Sequence, residues 1–198
     1  MQSLEKTNPA ERFDPFTSRA CRQVRNDLAH SLVTAISTRN PEPVSTLVHT
    51  YLSGTPTVPI QRYLIDRRER YRSILAGIRA AGFANQDIWP IAMALWNEQL
   101  FFEVHEWLEQ AWHQSRGDTR EGYQAVIRAA GVYIHLEAGR RASALQLASK
   151  AVEGLGRQRN LLAGYFDVAR LLEKLEPLDP VPPKLVPAPR AGTRTGDR

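Results

Sequence analysis

Residues 91–176 contain no proline, and this feature limits the fold of the chain more than any other. Apolar residues recur through the stretch at intervals of three and four, which is the spacing of one face of an α-helix. Proline would interrupt such helices because it removes a backbone N–H donor and clashes with the preceding turn. The stretch therefore predicts consecutive helices and an all-α fold class.

Capping residues, glycines and an Asn-Pro pair divide the chain into separate predicted helices. Their expected ranges are 17–38, 44–52, 60–80, 88–113, 118–138, 143–155 and a last helix from about Asp167. The last four follow one another closely, and short loops make neighbouring helices antiparallel. We therefore expect an up-and-down helical bundle preceded by extra N-terminal helices.

Three segments follow from this pattern. Residues 1–85 are predicted to form an N-terminal helical extension packed on the bundle, and residues 86–176 the bundle itself. Residues 177–198 contain six of the 13 prolines. A polar, Pro-rich tail buries little apolar surface, so we expect this tail to be disordered.

The charge pattern bears on partners. The chain carries a formal net charge of +5, and the segment from Arg62 to Arg72 alone contributes five arginines against two acids. The basic residues cluster on one helix face and in the tail. A general nucleic-acid-binding protein carries a wider positively charged surface, so nucleic-acid binding is not favoured. The segment leaves open a protein–protein interaction or homo-oligomerisation module without chemistry.

Cysteine content and hydropathy indicate the compartment. The chain has one cysteine, Cys21, which cannot form an internal disulfide, and its first sixteen residues lack an apolar signal core. The longest run free of charged or strongly polar residues, 88–96, is far shorter than the ~20 residues that span a membrane. We therefore expect a cytoplasmic protein without a membrane partner.

The predicted helix 88–113 contains all four tryptophans of the chain. If it is continuous, three ionisable residues fall on its packed side, namely Glu98, His105 and Glu109. Its polar side then comprises Gln99, Glu103, Glu106, Gln110 and His113. Burying an unpaired carboxylate costs several kcal/mol, so the three inward groups need partners.

The sequence supplies candidate partners on the same helix and on the next one. His105 and Glu109 are four residues apart and can contact each other, with Phe102 and Trp112 on either side. The following helix carries a polar stripe of Gln124, Arg128 and His135, and Gly131 within it permits a ligand or a ring to approach closely. If the two helices face each other, these residues line a buried polar pocket for a metal ion or small molecule.

Three kinds of chemistry fit such a pocket. His105 and Glu109 supply two ligands for a divalent metal ion, and further ligands must come from Glu98 or His135. Without a metal, His105 oriented by Glu109 would be a general base in a hydrolase-type enzyme. No nucleophile is identified by the sequence, so catalytic residues stay unassigned. The third interpretation is that these residues form a polar hydrogen-bond network with a purely structural role.

Three segments of this region resemble a known family. They are NEQLFFEVHEWLEQAW from Asn97, YQAVIRAAGVYIHLEAG from Tyr123 and SALQLASKAVEGL from Ser143. They resemble the bacterial and archaeal family catalogued as domain of unknown function 309, which has an HxxxExxW motif. Here the motif reads His105, Glu109 and Trp112, and the resemblance covers about residues 88–175.

The resemblance implies a small helical bundle whose motif has been suggested to bind metal, and it brings no established activity. The sequence departs from the family pattern at two positions. Arg128 stands where a glutamine is usual, and Arg140 stands where an asparagine commonly follows the glycine.

Overall fold

The structure, a computed structural model, describes residues 12–186. Within that part it consists of nine α-helices and contains no β-strand, which confirms the all-α prediction. The chain divides into two compact units, Met1–Asn85 and Gln86–Arg198. No helix of residues 12–186 is both long and apolar enough to cross a membrane.

The first unit contains α1 (Arg19–Thr38), α2 (Glu42–Ser53) and α3 (Val58–Ala80). The side chain of Ser18 caps α1 by accepting a hydrogen bond from the backbone N–H of Cys21. Apolar residues of these helices form the core, with Leu28, Leu32, Leu64 and Tyr71 fully buried. The three predicted N-terminal helices are therefore present.

The second unit contains α4 (Ile88–Asn97), α5 (Phe101–Gln114), α6 (Gly117–Glu137), α7 (Arg141–Arg157), α8 (Arg159–Leu162) and α9 (Val168–Leu175). Helices α5 and α6 are antiparallel neighbours, because Phe101 at the start of α5 stacks on Tyr133 near the end of α6. At the other end, the Arg120 guanidinium lies 4.1 Å from the centre of the Trp112 ring. The expected bundle is present, and the short helix α8 is an addition to the prediction.

The predicted continuous helix 88–113 is wrong, because the chain turns at residues 98–100 between α4 and α5. Gln99 has a φ of 55°, in the left-handed region that ends helices. The indole N–H of Trp107 donates to the carbonyl of Ile88 at 3.1 Å, which ties α5 to the start of α4. Helix α4 therefore packs against a side of α5 that a straight helix would leave open.

The starts of α6 and α9 are capped differently. Asp118 and Glu121 have the three-residue spacing of a capping box, which predicts a cap at the start of this helix. No such cap forms, since the described start of α6 has no side-chain cap hydrogen bond. The Glu121 carboxylate accepts instead from the Gln158 side chain at 3.0 Å. The Asp167 side chain caps α9, which begins where the last helix is predicted to begin, by accepting from the backbone N–H of Arg170 at 3.2 Å.

The prediction of a disordered tail is wrong for residues 177–186, which pack within the second unit. The Asn97 side chain donates to the carbonyl of Leu185 at 2.9 Å and accepts from its N–H at 2.8 Å. The Trp96 indole donates to the carbonyl of Pro183 at 2.9 Å. Leu178 and Leu185 are buried, so the tail supplies apolar surface that its proline content conceals. Residues 187–198 lie outside the described residues.

Candidate metal centre

One face of α5 brings together an imidazole and two carboxylates. His105, Glu106 and Glu109 each offer one ligand atom, and these atoms all lie within 4.8 Å of one another. His105 and Glu109 are separated by one helical turn, and Glu106 follows His105 directly. All three residues are half-buried. The helix alone therefore positions the group, with no need for a long loop.

The His105 ring offers a nitrogen atom that makes no hydrogen bond to the described residues. Its Nδ1 atom is buried and makes no hydrogen bond within residues 12–186. That atom lies 3.4 Å from Oε1 of Glu106, longer than an ordinary hydrogen bond. The ring runs parallel to that of Phe102, with centroids 6.0 Å apart and an interplanar angle of 5°. Phe102, a predicted site residue, therefore limits how the imidazole can turn.

These distances fit a small divalent ion. Two ligand atoms each about 2.1 Å from a tetrahedral ion lie about 3.4 Å apart, which is the separation of His105 Nδ1 and Glu106 Oε1. The largest separation in the group, up to 4.8 Å, has to shorten by up to about 1.4 Å to reach this spacing. A glutamate side chain can make such an adjustment by rotation about its own bonds. Three protein ligands leave at least one position open for water or a substrate.

The site is less enclosed than the sequence predicts. The side chains of His105 and Glu106 are each 30% exposed. Trp112 lies one turn beyond Glu109, as expected, but its ring contacts the Arg120 guanidinium and the edge of His113. The group therefore lies at the surface of α5, bordered by the Phe102 ring, and is not sealed inside the bundle.

Glu98 does not join the group, which corrects its predicted place on the packed side. It is exposed and lies in the turn between α4 and α5. The prediction depended on extending one helix through residues 98–100, and the turn changes the direction of the chain there.

The polar stripe of α6 also lies apart from His105 and Glu109. A Cβ atom added to Gly131 would lie 2.5 Å from Cδ2 of Leu147, so this side of α6 packs against α7. The opposite side, with Tyr133, packs against Phe101 of α5. The polar stripe consists of Gln124, Arg128 and His135. At about 100° per residue around the helix axis, these three residues lie within about 60° of Gly131 and at least about 140° from Tyr133. They therefore lie on the side of α6 that faces away from Phe101 of α5.

This arrangement changes the interpretation of Gly131 and His135. The space beside Gly131 is filled by Leu147 and is not a gap for a ligand. His135 is half-buried, and burial together with the charge of Arg140 lowers the pKa of its imidazole. It does not belong to the potential metal-binding group found in the described residues. The structure thus separates two sets of residues that the sequence places in one pocket.

Two acidic residues of α5, Glu103 and Glu106, have places that differ from the solvent side on which a continuous helix would put them. Glu106 is a member of the His105 group. Glu103 is fully buried, one turn before Trp107 on the side of α5 that meets α4. It lies in the first turn of α5, where the positive end of the helix dipole stabilises a carboxylate. Its spacing from Trp107 was the signal that could have revealed its burial.

The fold and the group on α5 define an all-α protein with a His/Glu cluster on one helix. Residues 91–147 match the model of the family described as Domain of unknown function (DUF309). This match confirms the family resemblance noted from the sequence, and it includes the whole of α5. No curated protein and no solved structure matches the chain.

Proposed function

We propose that the second unit binds a divalent metal ion through His105, Glu106 and Glu109. The observation that carries this proposal is their geometry, with three ligand atoms within 4.8 Å on one helix face. The buried Nδ1 atom of His105 supports it, because a buried polar atom without a hydrogen bond requires some other partner. The family match adds no activity of its own.

The donor set indicates the kind of ion. One imidazole nitrogen and two carboxylate oxygens suit a first-row ion such as Zn²⁺, Mn²⁺ or Fe²⁺ better than Ca²⁺, which takes six to eight oxygen ligands. Thiolate ligands, typical of closed structural zinc sites, are absent from the group. A site with an open position is therefore favoured over a purely structural one.

Metal-assisted hydrolysis is the second candidate function, and one observation favours it. His105 and Glu106 remain 30% exposed, so a substrate can reach the open side of the group. A bound ion there would supply Lewis acidity and lower the pKa of a coordinated water. The protein's own contribution would be to hold the ion at the surface of α5 beside the ring of Phe102.

Metal titration of untagged, metal-free protein tests the proposal. We expect one Zn²⁺ or Mn²⁺ per chain in calorimetry. Even the partners that only orient metal ligands contribute about 10- to 100-fold to affinity, so His105→Ala and Glu109→Gln should each weaken binding by at least about tenfold. The matched controls are His113→Ala and Glu173→Gln, which alter exposed residues outside the group.

Two results would overturn the proposal. One is the absence of saturable binding by the unaltered chain. The other is equal affinity in the ligand variants and the controls, which would show that the ion binds elsewhere. Far-UV circular dichroism and thermal unfolding of every variant separate a lost site from a lost fold.

A further inference from the structure

Among its described residues, 12–85, the first unit contains a groove lined mainly by apolar and basic residues and by no acidic residue. Two adjacent cavities of about 80 and 260 Å³ form it, and they share Pro41, Leu75 and Arg79. Both volumes far exceed the roughly 10–15 Å³ that a single water needs by this type of measure. The groove follows α3 where this helix meets the end of α1 and the start of α2.

The smaller cavity is an apolar recess that the fold holds open. Ala35 and Ile36 of α1 and Ile78 of α3 line it, and all three are buried. The Asn85 side chain closes one end by donating to the carbonyl of Ser37 at 2.7 Å. Because these groups are already fixed, an apolar chain could enter without reordering the helices.

Four arginines border the two cavities, namely Arg39, Arg68, Arg72 and Arg79. Arg68, Arg72 and Arg79 lie on one face of α3, at spacings of four and seven residues. No ion pair involves any of the four among the residues that the structure describes. The four guanidinium groups therefore border the groove without a direct carboxylate partner among residues 12–186.

Arg68 gives the strongest indication of a missing partner. Its Nε atom is buried and has no hydrogen-bond partner within residues 12–186. The Nε atom of Arg67 is buried in the same way, but its guanidinium lies 3.7 Å from the Asp66 carboxylate and 4.9 Å from the ring centre of Tyr63. Arg70 pairs with Asp66 at 3.1 Å. Buried polar atoms are nearly always hydrogen-bonded, so an anionic oxygen beside Arg68 would complete this site.

We infer that this groove binds a small amphipathic anion, with a phosphate or carboxylate headgroup against Arg68 and Arg72 and a short apolar tail in the recess beside Ile36. Guanidinium groups match the planar, bidentate geometry of both headgroups. A nucleic acid would leave the aliphatic recess unused, and an acidic ligand without an apolar part would leave it empty. This site lies in the first unit and is independent of the metal proposal.

Binding of octyl phosphate to the full chain, below its micelle concentration, tests this inference. Inorganic phosphate is the control probe without the apolar tail. Octyltrimethylammonium is the control probe that has the tail but a cationic headgroup. Because the tail and the headgroup each add favourable contacts, octyl phosphate should bind at least about tenfold more tightly than either. Equal affinity for the cationic probe, or no saturable binding of octyl phosphate, would overturn the inference.

Variants locate the site. Arg68→Gln and Arg72→Gln should weaken octyl phosphate binding by about fivefold or more, because each removes a charge-assisted hydrogen-bond donor. Arg62→Gln changes an exposed arginine of the same helix outside the groove and should have no effect. Ala76→Phe alters an exposed position that lines the larger cavity and should block binding without disturbing the core. Equal losses in Arg62→Gln and Arg68→Gln would contradict the site.

Vesicles distinguish the two sources of the headgroup. If the natural ligand is a lipid, vesicles of phosphatidic acid in phosphatidylcholine should compete with octyl phosphate, and Ala76→Phe should abolish their binding. If the ligand is a soluble molecule, octyl phosphate binds and the vesicles do not. Vesicle binding that survives Ala76→Phe would be attraction to the protein surface alone and would count against the groove.

Discussion

The ring of Tyr133 on α6 stacks on the ring of Phe101 on α5, with centroids 5.0 Å apart and an interplanar angle of 25°. The Trp96 ring meets both of them edge-on, at 5.1 and 5.4 Å. These three buried rings join α4, α5 and α6 one turn before His105. The stack therefore sets the direction in which α5 leaves the core and presents its His/Glu group.

Tyr133→Phe should keep or raise stability. The Tyr133 hydroxyl is buried and has no hydrogen-bond partner among the described residues, so its removal sacrifices no bond. We expect urea unfolding to show a change between zero and a gain of about 1 kcal/mol. Tyr133→Ala removes the ring as well and should cost about 3–5 kcal/mol. A loss above about 1 kcal/mol in Tyr133→Phe would mean that the hydroxyl has a partner.

Two glycines of α7 should respond differently to alanine. A Cβ at Gly154 would lie 3.1 Å from Cβ of Ala125 on α6, whereas a Cβ at Gly156 would meet nothing within 4 Å. Gly156→Ala should therefore stabilise the protein by up to about 1 kcal/mol, through helix propensity alone. Gly154→Ala should be less favourable by at least about 1 kcal/mol, because the two helices must separate. Equal unfolding free energies for the two variants would contradict this packing.

His135 should make stability depend on pH. Burial and the charge of Arg140 lower the pKa of His135 in the folded protein, so folding favours its neutral form. Its contribution is complete above the unfolded pKa of about 6.5 and is lost as pH falls through the lower folded pKa. The free energy of unfolding should drop between pH 7.5 and 5.5, and less so in His135→Gln. Identical slopes in both proteins would exclude this role.

The contacts of Asn97 predict that the start of the tail contributes to stability. Asn97→Ala removes two hydrogen bonds to the backbone of Leu185 and leaves those partly buried groups unpaired. We expect a loss of about 1–3 kcal/mol and faster hydrogen exchange at the Leu185 amide. Asn160→Ala, at an exposed position of α8, is the matched control. Unchanged exchange at Leu185 would contradict the contact.

Most of the fold could be predicted from the sequence because its helices are amphipathic and have clear ends. The apolar spacing of α1, α3, α6 and α7 reflects burial on one side of each helix. Gly139, which follows the end of α6, has a φ of 71°, a left-handed conformation that glycine adopts readily. The turn at 98–100 could not be predicted, since neither glycine nor proline marks it. Gln99 adopts the left-handed conformation there because tertiary packing of α4 on α5 outweighs local preference.

The candidate site was predicted in part. Spacing alone identified His105 and Glu109, since residues four apart on a helix remain neighbours wherever that helix packs. Which side of α5 faces the core depends on α4, so Glu103 and Glu106 were misassigned. Which side of α6 faces α5 likewise depends on tertiary packing. Leu147 of α7 lies against Gly131, so the side of α6 that carries Gly131 faces α7. The packing of the N-terminal helices on the bundle stays a prediction.

The most direct test of the metal site is the imidazole nitrogen resonance of His105 during a zinc titration. In ¹⁵N-labelled, untagged protein, one equivalent of Zn²⁺ should shift Nδ1 of His105 and leave the ring nitrogens of the exposed His113 unchanged. Glu109→Gln should require more zinc for the same shift. An unchanged His105 resonance in the presence of excess zinc would contradict the central claim that this histidine is a metal ligand.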